Sequence, residues 1–201
     1  KEIMKVLFLN PPFVGKFSRT SRSPAVTRAG TIYYPFWLAY AAGVLDKEGF
    51  EVKVIDAPAE SYNLAETKNQ ISQFEPRLIV IDTSTPSIYS DVKAAEELKK
   101  ILPNSFIVLV GTHPSALPEE TLKLSDKVDA VAKGEYDYTI KYLAYCLKNK
   151  SNLKEVDGLI FRNRSQIVFN KPRILIENLD ELPFASKIYK KYFNIKKYFF
   201  A

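Results

Sequence analysis

The run Phe106-Ile-Val-Leu-Val110 contains no polar residue and empties into Gly111-Thr112-His113-Pro114-Ser115. A short, wholly apolar run of this kind is a parallel strand buried on both faces, and something must cover each face. Four further runs repeat the pattern at Lys5–Asn10, Glu51–Ile55, Leu78–Ile81 and Asp129–Ala132. Helices are predicted between them. The first spans Phe36 to Glu48 and is stopped by Gly49. The second opens on the capping pair Asn63 and Glu66 and runs to Phe74. The third carries Ile88, Val92, Ala95 and Leu102 at helical spacing. A short fourth begins at Pro118, and a fifth, Tyr136 to Lys148, keeps Ile140, Leu143 and Leu147 on one face. Strict strand–helix alternation predicts an α/β fold, a doubly wound five-stranded parallel sheet with right-handed crossovers. The expected strand order is Rossmann- or flavodoxin-like, 2-1-3-4-5, and ligands of such sheets bind outside the carboxyl ends of the strands.

The chain has 201 residues, 46% of them hydrophobic, which suits one such domain with a small extension. No run approaches the ~20 apolar residues of a membrane span, and no signal peptide is expected. The lone Cys146 leaves no intrachain disulfide and no multi-cysteine metal site. It reads as a small buried residue of the last helix, and its solitude suggests a cytoplasmic setting. After Lys150 the pattern changes. Gly158–Arg162 and Gln166–Asn170 flank Asn163-Arg164-Ser165 as a hairpin, and 174–176 is a further short extended piece. The expected division is therefore 1–150 for the Rossmann-like domain, 151–178 for a β-hairpin extension and 179–201 for a linker. The net charge of +6 owes much to Lys187, Lys190, Lys191, Lys196 and Lys197, which alternate with aromatics. Such a patch suits nucleic acid or plain solvated surface. Without a nucleic-acid motif the second reading is adopted. Phe199 and Phe200 at a free end make poor use of apolar surface, so the chain is expected to continue past Ala201.

The strand tips limit the chemistry. A long irregular segment, Phe13 to Pro35, follows the first strand, and loops of that length are functional or disordered. Asp56 ends the second strand, where an acid can hold a ribose hydroxyl. With no Gly-x-Gly-x-x-Gly after the first strand, a turn residue is the simpler reading. Pro86 fits the first turn of the third helix, whose start at Thr83-Ser84-Thr85-Pro86-Ser87 suits either an anion or an ordinary cap. The phosphate-cradling Gly-x-x-x-x-Gly-Lys loop and the Gly-x-Ser-x-Gly elbow are both missing. His113 is the one histidine, which weakens a serine triad. Asp82, Thr112 and Lys133 sit near the positions of a phosphoacceptor domain, but the acidic pair needed after the first strand is replaced by Asn10-Pro11-Pro12. A rim of hydroxyls, glycines and aromatics remains. It suits a large, mostly neutral ligand that brings its own chemistry.

Several stretches, taken in order, carry a family resemblance. They are Asn10-Pro11-Pro12, Tyr34-Pro35 before an alanine-rich helix, Thr83 to Ser87, Gly111 to Ser115 with Leu117-Pro118-Glu119-Glu120, Gly134-Glu135, and Leu179 to Phe184. Together they resemble the N-terminal cobalamin-binding domain of cobalamin-dependent radical S-adenosylmethionine enzymes. Two departures are visible: Thr112 replaces the second of two paired glycines, and Gly134-Glu135-Tyr136-Asp137 stands where Gly-Glu-Gly-Glu is common. Both fit a subgroup that includes proteins associated with hopanoid lipid biosynthesis. The resemblance implies cobalamin bound without a histidine ligand to cobalt, because the Asp-x-His-x-x-Gly motif of the mutases is missing. It implies a lower face near the loop after the first strand, and a nucleotide tail between the third and fourth turns. The implied binding residues are Asn10, Pro12, Tyr34, Thr83, Ser84, Thr85, Ser87, Gly111, Thr112, His113, Gly134 and Glu135, with no catalytic side chain and no metal ligand. His113 is read as an amide donor or loop residue rather than a cobalt ligand. The [4Fe–4S] cluster and S-adenosylmethionine would belong to a radical domain beyond the linker, the partner of this module in methyl transfer or ring rearrangement. The alternatives are a receiver-like or nucleotide-binding regulatory domain, and a structural α/β domain whose basic tail binds a partner.

Overall fold

The computed structural model describes residues 3–20, 25–26 and 32–198. The expectations placed on 21–24, 27–31 and 199–201 lie outside the described residues. In chain order the strands are β1 (Lys5–Asn10), β2 (Phe17–Ser18), β3 (Ala25–Val26), β4 (Glu51–Asp56), β5 (Leu78–Thr83), β6 (Phe106–Gly111), β7 (Ala130–Ala132), β8 (Leu159–Asn163) and β9 (Gln166–Phe169). The helices are α1 (Phe36–Lys47), α2 (Ala57–Glu60), α3 (Leu64–Ser72), α4 (Ile88–Ile101), α5 (Thr112–Ala116), α6 (Pro118–Lys123), α7 (Asp137–Asn149) and α8 (Ala185–Tyr192).

The main sheet runs β4-β1-β5-β6-β7-β8-β9. Its first five strands are parallel, in the order 2-1-3-4-5 that strand–helix alternation predicts. The hairpin does more than extend the chain. β8 pairs antiparallel with β7, and β9 with β8, so the hairpin covers the edge of a three-residue strand that would otherwise lie open. β2 and β3 form a separate ribbon in the segment after β1. The extended piece expected at 174–176 joins no ladder, and Ile174 and Leu175 are exposed.

Alternation along the strands feeds two cores, because successive side chains point to opposite faces. Val6, Phe8, Val80, Val108 and Val110 pack against α1, α7 and α8. Leu7, Leu9, Ile79, Ile81, Ile107 and Leu109 pack with α3 and α4 residues such as Ile71, Val92 and Leu98. α3 starts on the expected capping box, with Glu66 N donating to Asn63 Oδ1 at 2.9 Å and Asn63 N to Glu66 Oε2 at 2.8 Å. Pro86 sits differently from expectation, in the turn before α4. Ser87 is the N-cap, and its backbone N–H donates to the Ser84 carbonyl. The stretch after Gly111 is the five-residue helix α5 rather than an open turn.

The tail folds back. Tyr192, Tyr189 and Ile188 form one face of α8 and lie against the α1 core, and the Tyr192 hydroxyl donates to the Val52 carbonyl on the β4 edge. Lys191 pairs with Asp46 at 2.7 Å, and Lys197 pairs with Glu60. The lysine–aromatic alternation is thus an amphipathic helix whose charged side meets solvent and surface acids. Among the described residues no helix is long and apolar enough to cross a membrane.

Candidate functional site

The carboxyl edge of the sheet has a closed half and an open half. Over β1, β4 and β5 the protein fills the edge with its own side chains. Arg19, brought in just after β2, donates from Nη1 to Asn10 Oδ1 at 2.6 Å and to the Pro11 carbonyl at 2.8 Å. Its Nη2 meets Asp91 Oδ1 at 2.6 Å, and its Nε donates to Ser87 Oγ at 3.2 Å. Ser87 Oγ in turn donates to Asp91 Oδ2 at 2.7 Å. The Arg19–Asp91 pair is fully desolvated, so every remaining donor needs an acceptor, and Asn10, Pro11 and Ser87 supply them. Asn10 Nδ2 also donates to Asp56 Oδ1, and Tyr198 OH to Asp56 Oδ2, each at 2.8 Å. Tyr34 is stacked between Tyr189 and Tyr198, with ring centroids 4.2 and 4.1 Å away. Asn10, Ser84 and Ser87, expected to face a ligand, are therefore buried in a network of the protein's own. Pro12 lies apart from them, at the rim of a cavity shared with Phe13, Tyr62 and Asn63.

Sequence reading missed Arg19 and Asp91. Asp91 was detectable in principle, since it interrupts the face of α4 that buries Ile88, Val92 and Ala95. Which of the arginines after β1 would reach it is set by the path of the loop.

The open half lies over the ends of β6 and β7. Gly111 has φ of +109°, and a Cβ there would overlap the Thr83 carbonyl oxygen and lie 2.9 Å from Asp82 Oδ1. Only glycine lets the strand turn this close to its neighbour. Beyond it a cavity of about 560 Å³ is walled by Trp37, Gly111, Thr112, Gly134, Tyr136 and Asp137 among others. Glu135 and Ser115 also border it, and the Gly134 N–H donates to Ser115 Oγ at 3.0 Å. Thr85 and Thr112 are exposed, and half-buried His113 places Nδ1 3.4 Å from Thr85 Oγ1. The structure thus gathers Gly111, Thr112, Gly134 and Glu135 at one cavity, with Thr85 and His113 paired nearby.

Among the described residues, four buried polar atoms near this edge have no hydrogen-bond partner: Asp82 Oδ2, Thr83 Oγ1, Tyr136 OH and Asp137 Oδ1. Strand alternation sends Asp82 toward α1 and α7, after Leu78 and Val80, and Thr83 to the opposite face. Burial pushes the Asp82 carboxyl up to about 7, against the pull of the Arg19 guanidinium. Burial likewise lifts Asp137 and Asp56 to about 6 each. The Tyr136 hydroxyl is raised well above its ordinary value by burial and by the facing Asp82 and Asp137 carboxylates. Asp82 is buried, and the described residues hold no cluster of three or more metal-ligating side chains. What the edge offers is a cavity with an aromatic wall, bordered by backbone at the ends of β6 and β7 and by the hydroxyls of Thr112 and Ser115. Those are features that fit an amide-fringed corrinoid.

A model of the B12 binding domain matches residues 22–144, more than half of the chain. The chain is 32% identical over 185 residues to the uncharacterized methyltransferase PH0819 of Pyrococcus horikoshii, covering 92% of this chain and 38% of that protein. It is 27% identical over 179 residues to the anaerobic magnesium-protoporphyrin IX monomethyl ester cyclase of Synechocystis sp., covering 88% and 34%. The chain therefore spans about a third of the length of these relatives. Among solved structures, the cobalamin-dependent S-adenosylmethionine radical enzyme OxsB, with aqua-cobalamin and S-adenosylmethionine bound, shares the fold at a TM-score of 0.68 and 17% identity, over 87% of this chain and 23% of OxsB. The radical S-adenosylmethionine methyltransferase TsrM of Kitasatospora setae does so at 0.65 and 18%, over 85% and 30%. Sheet order, the open edge beside Gly111 and the family match agree: the chain belongs to the B12-binding domain family, whose cofactor is cobalamin.

Proposed function

We propose that this chain is the cobalamin-binding module of a larger, cytoplasmic radical S-adenosylmethionine enzyme that carries out methyl transfer or related radical chemistry. The observation that carries this reading is the cavity beside Gly111, walled by Trp37, Thr112, Gly134 and Tyr136. When bound, the corrinoid supplies group-transfer or radical chemistry at its cobalt. The chain's own residues bind and orient. Gly111 lets β6 turn tightly against Thr83, so that the backbone at the strand end would border the bound ring. Thr85, Thr112 and His113 offer hydrogen bonds to peripheral amides on one side, and Gly134 and Glu135 border the other. Asn10, Ser84 and Ser87 act one layer down, by holding the Arg19 clamp that shapes the closed half. Thr83 presents its hydroxyl from beneath the same edge, while Pro12 and Tyr34 shape the segment that follows β1. His113 is turned toward Thr85, which supports the reading without a histidine axial ligand. The domain boundaries at 150 and 178 and the role of 179–201 as the passage to a radical domain, which would hold the [4Fe–4S] cluster and S-adenosylmethionine, belong to the same proposal. Hydroxocobalamin titrated into the purified protein, followed by its visible spectrum, is expected to give saturable one-to-one binding. A spectrum unchanged beside excess cofactor would overturn the reading.

A further inference from the structure

An unbroken run of hydrogen bonds crosses the closed half of the edge, from the tail to the turn after β5. Tyr198 OH donates to Asp56 Oδ2, and Asn10 Nδ2 to Asp56 Oδ1, each at 2.8 Å. Arg19 joins Asn10 to the next member, donating to Asn10 Oδ1 and to Asp91 Oδ1, each at 2.6 Å. Ser87 Oγ donates to Asp91 Oδ2 at 2.7 Å and lies 2.9 Å from Ser84 Oγ. A hydroxyl carries one proton, so with that of Ser87 on its shortest contact, Asp91, Ser84 donates to Ser87. The run thus links the tail, the ends of β4 and β1, the loop after β2 and the start of α4, and every member is buried.

Its two ends differ in kind. At one end is the tail. α8 is too short to be stable alone, so away from its docked position the tail has no fixed conformation. When it is docked, Tyr34 stacks between Tyr189 and Tyr198, and the Tyr198 hydroxyl reaches Asp56. Without that donor a carboxylate only 2% exposed is left short. In a buried network a loss at one member is felt by those bonded to it, so the members hold or shift together. At the other end is the Ser84–Ser87 turn. The Ser87 N–H donates to the Ser84 carbonyl at 3.0 Å, and the Ser84 N–H to Ser87 Oγ at 3.3 Å. This turn carries Thr85, exposed and 3.4 Å from His113 Nδ1, at the edge where the cobalamin reading puts the cofactor.

We infer, resting on that reading, that Tyr198 is a positioning residue: through the hydrogen bonds that end at Asp91 and Ser87 it fixes the turn carrying Thr85, so that docking of the tail and binding of the cofactor favour each other. Linkage makes the effect mutual. A tail that raises affinity for the cofactor is itself held more tightly once the cofactor is bound.

Tyr198→Phe removes one hydrogen bond from the run and keeps the stacked ring. Tyr192→Phe is the matched control, because its hydroxyl donates to the Val52 carbonyl from the same tail but outside the run. Titrated with hydroxocobalamin, Tyr198→Phe is expected to bind roughly three- to tenfold more weakly than the wild type, and Tyr192→Phe as the wild type does. A second readout needs no variant. Amide exchange at Phe193, Lys197 and Tyr198, whose N–H groups are bonded within the tail, should slow when cobalamin is added to the wild type. Equal affinities for the wild type and Tyr198→Phe would overturn the inference. So would equal losses in the two variants, which would make the tail a matter of stability alone, and so would tail exchange indifferent to cobalamin. These three results leave the cobalamin reading standing, whereas a wild type that binds no cobalamin overturns that reading and the positioning role with it.

Discussion

At the scale of single residues, Arg19 shows how a surface-type side chain becomes structural. Its guanidinium is as buried as any core leucine, and it survives there because nearly every donor has a geometric partner. Replacing it with Met would leave Asp91 buried and unpaired. The expected cost is about 3–5 kcal/mol in urea unfolding, most of it recovered when Asp91→Leu is added, because the second change removes the stranded charge. Nothing in the spacing of Asn10, Arg19, Ser87 and Asp91 announces that they meet. Gly111 differs in this respect. Its place after an all-apolar strand marks a turn already in the sequence, and the structure adds the reason, the Thr83 carbonyl where a side chain would stand.

At the scale of elements, the strands were the most legible. An uninterrupted apolar run has few ways to be buried, and the β1, β5 and β6 runs are buried along nearly their whole length. α3 was legible from its capping box, which is local chemistry. α8 was not. Its lysine–aromatic alternation suggested a linker, yet Ile188 is 1% exposed and packs on α1 beside Gly43, where Pro183 also comes close. A helix of eight residues has too little intrinsic stability to form alone. Docking is what makes it visible. Ile188→Ala should therefore cost about 2–4 kcal/mol. Hydrogen exchange should show the loss concentrated in α8 and the Tyr34–Tyr198 stack, with β1, β5 and β6 still protected.

At the scale of the whole molecule, the carboxyl edge concentrates acids whose proton affinity rises on folding. Asp82 moves to about 7, and Asp56 and Asp137 to about 6. Each is raised above its unfolded value, so the folded state holds protons that the unfolded chain has released. Their stabilising contribution is complete below about pH 4 and is lost as pH rises through 6 to 7. The groups that face Asp82 are Arg19 from the loop after β1, Asp91 of α4, Asp56 of β4 and Tyr136 before α7. Arg19 moderates the effect without cancelling it. Thermal midpoints should fall from pH 5 to pH 8, and Asp82→Asn should flatten that slope by up to one proton, ~1.4 kcal/mol per pH unit.

From sequence alone came the class of fold and the strand order, because buried parallel strands and their turns follow from local patterning, while the family came from the resemblance of short stretches taken in order. Tertiary structure alone decided which half of that edge is open. Arg19 and Tyr198 arrive from 9 or more residues away along the chain to close β1 and β4, with no local signal to pair them with Asn10, Asp91 or Asp56. Such contacts depend on where a loop and a tail come to rest, and that is set by the packing of the whole chain rather than by any window of it.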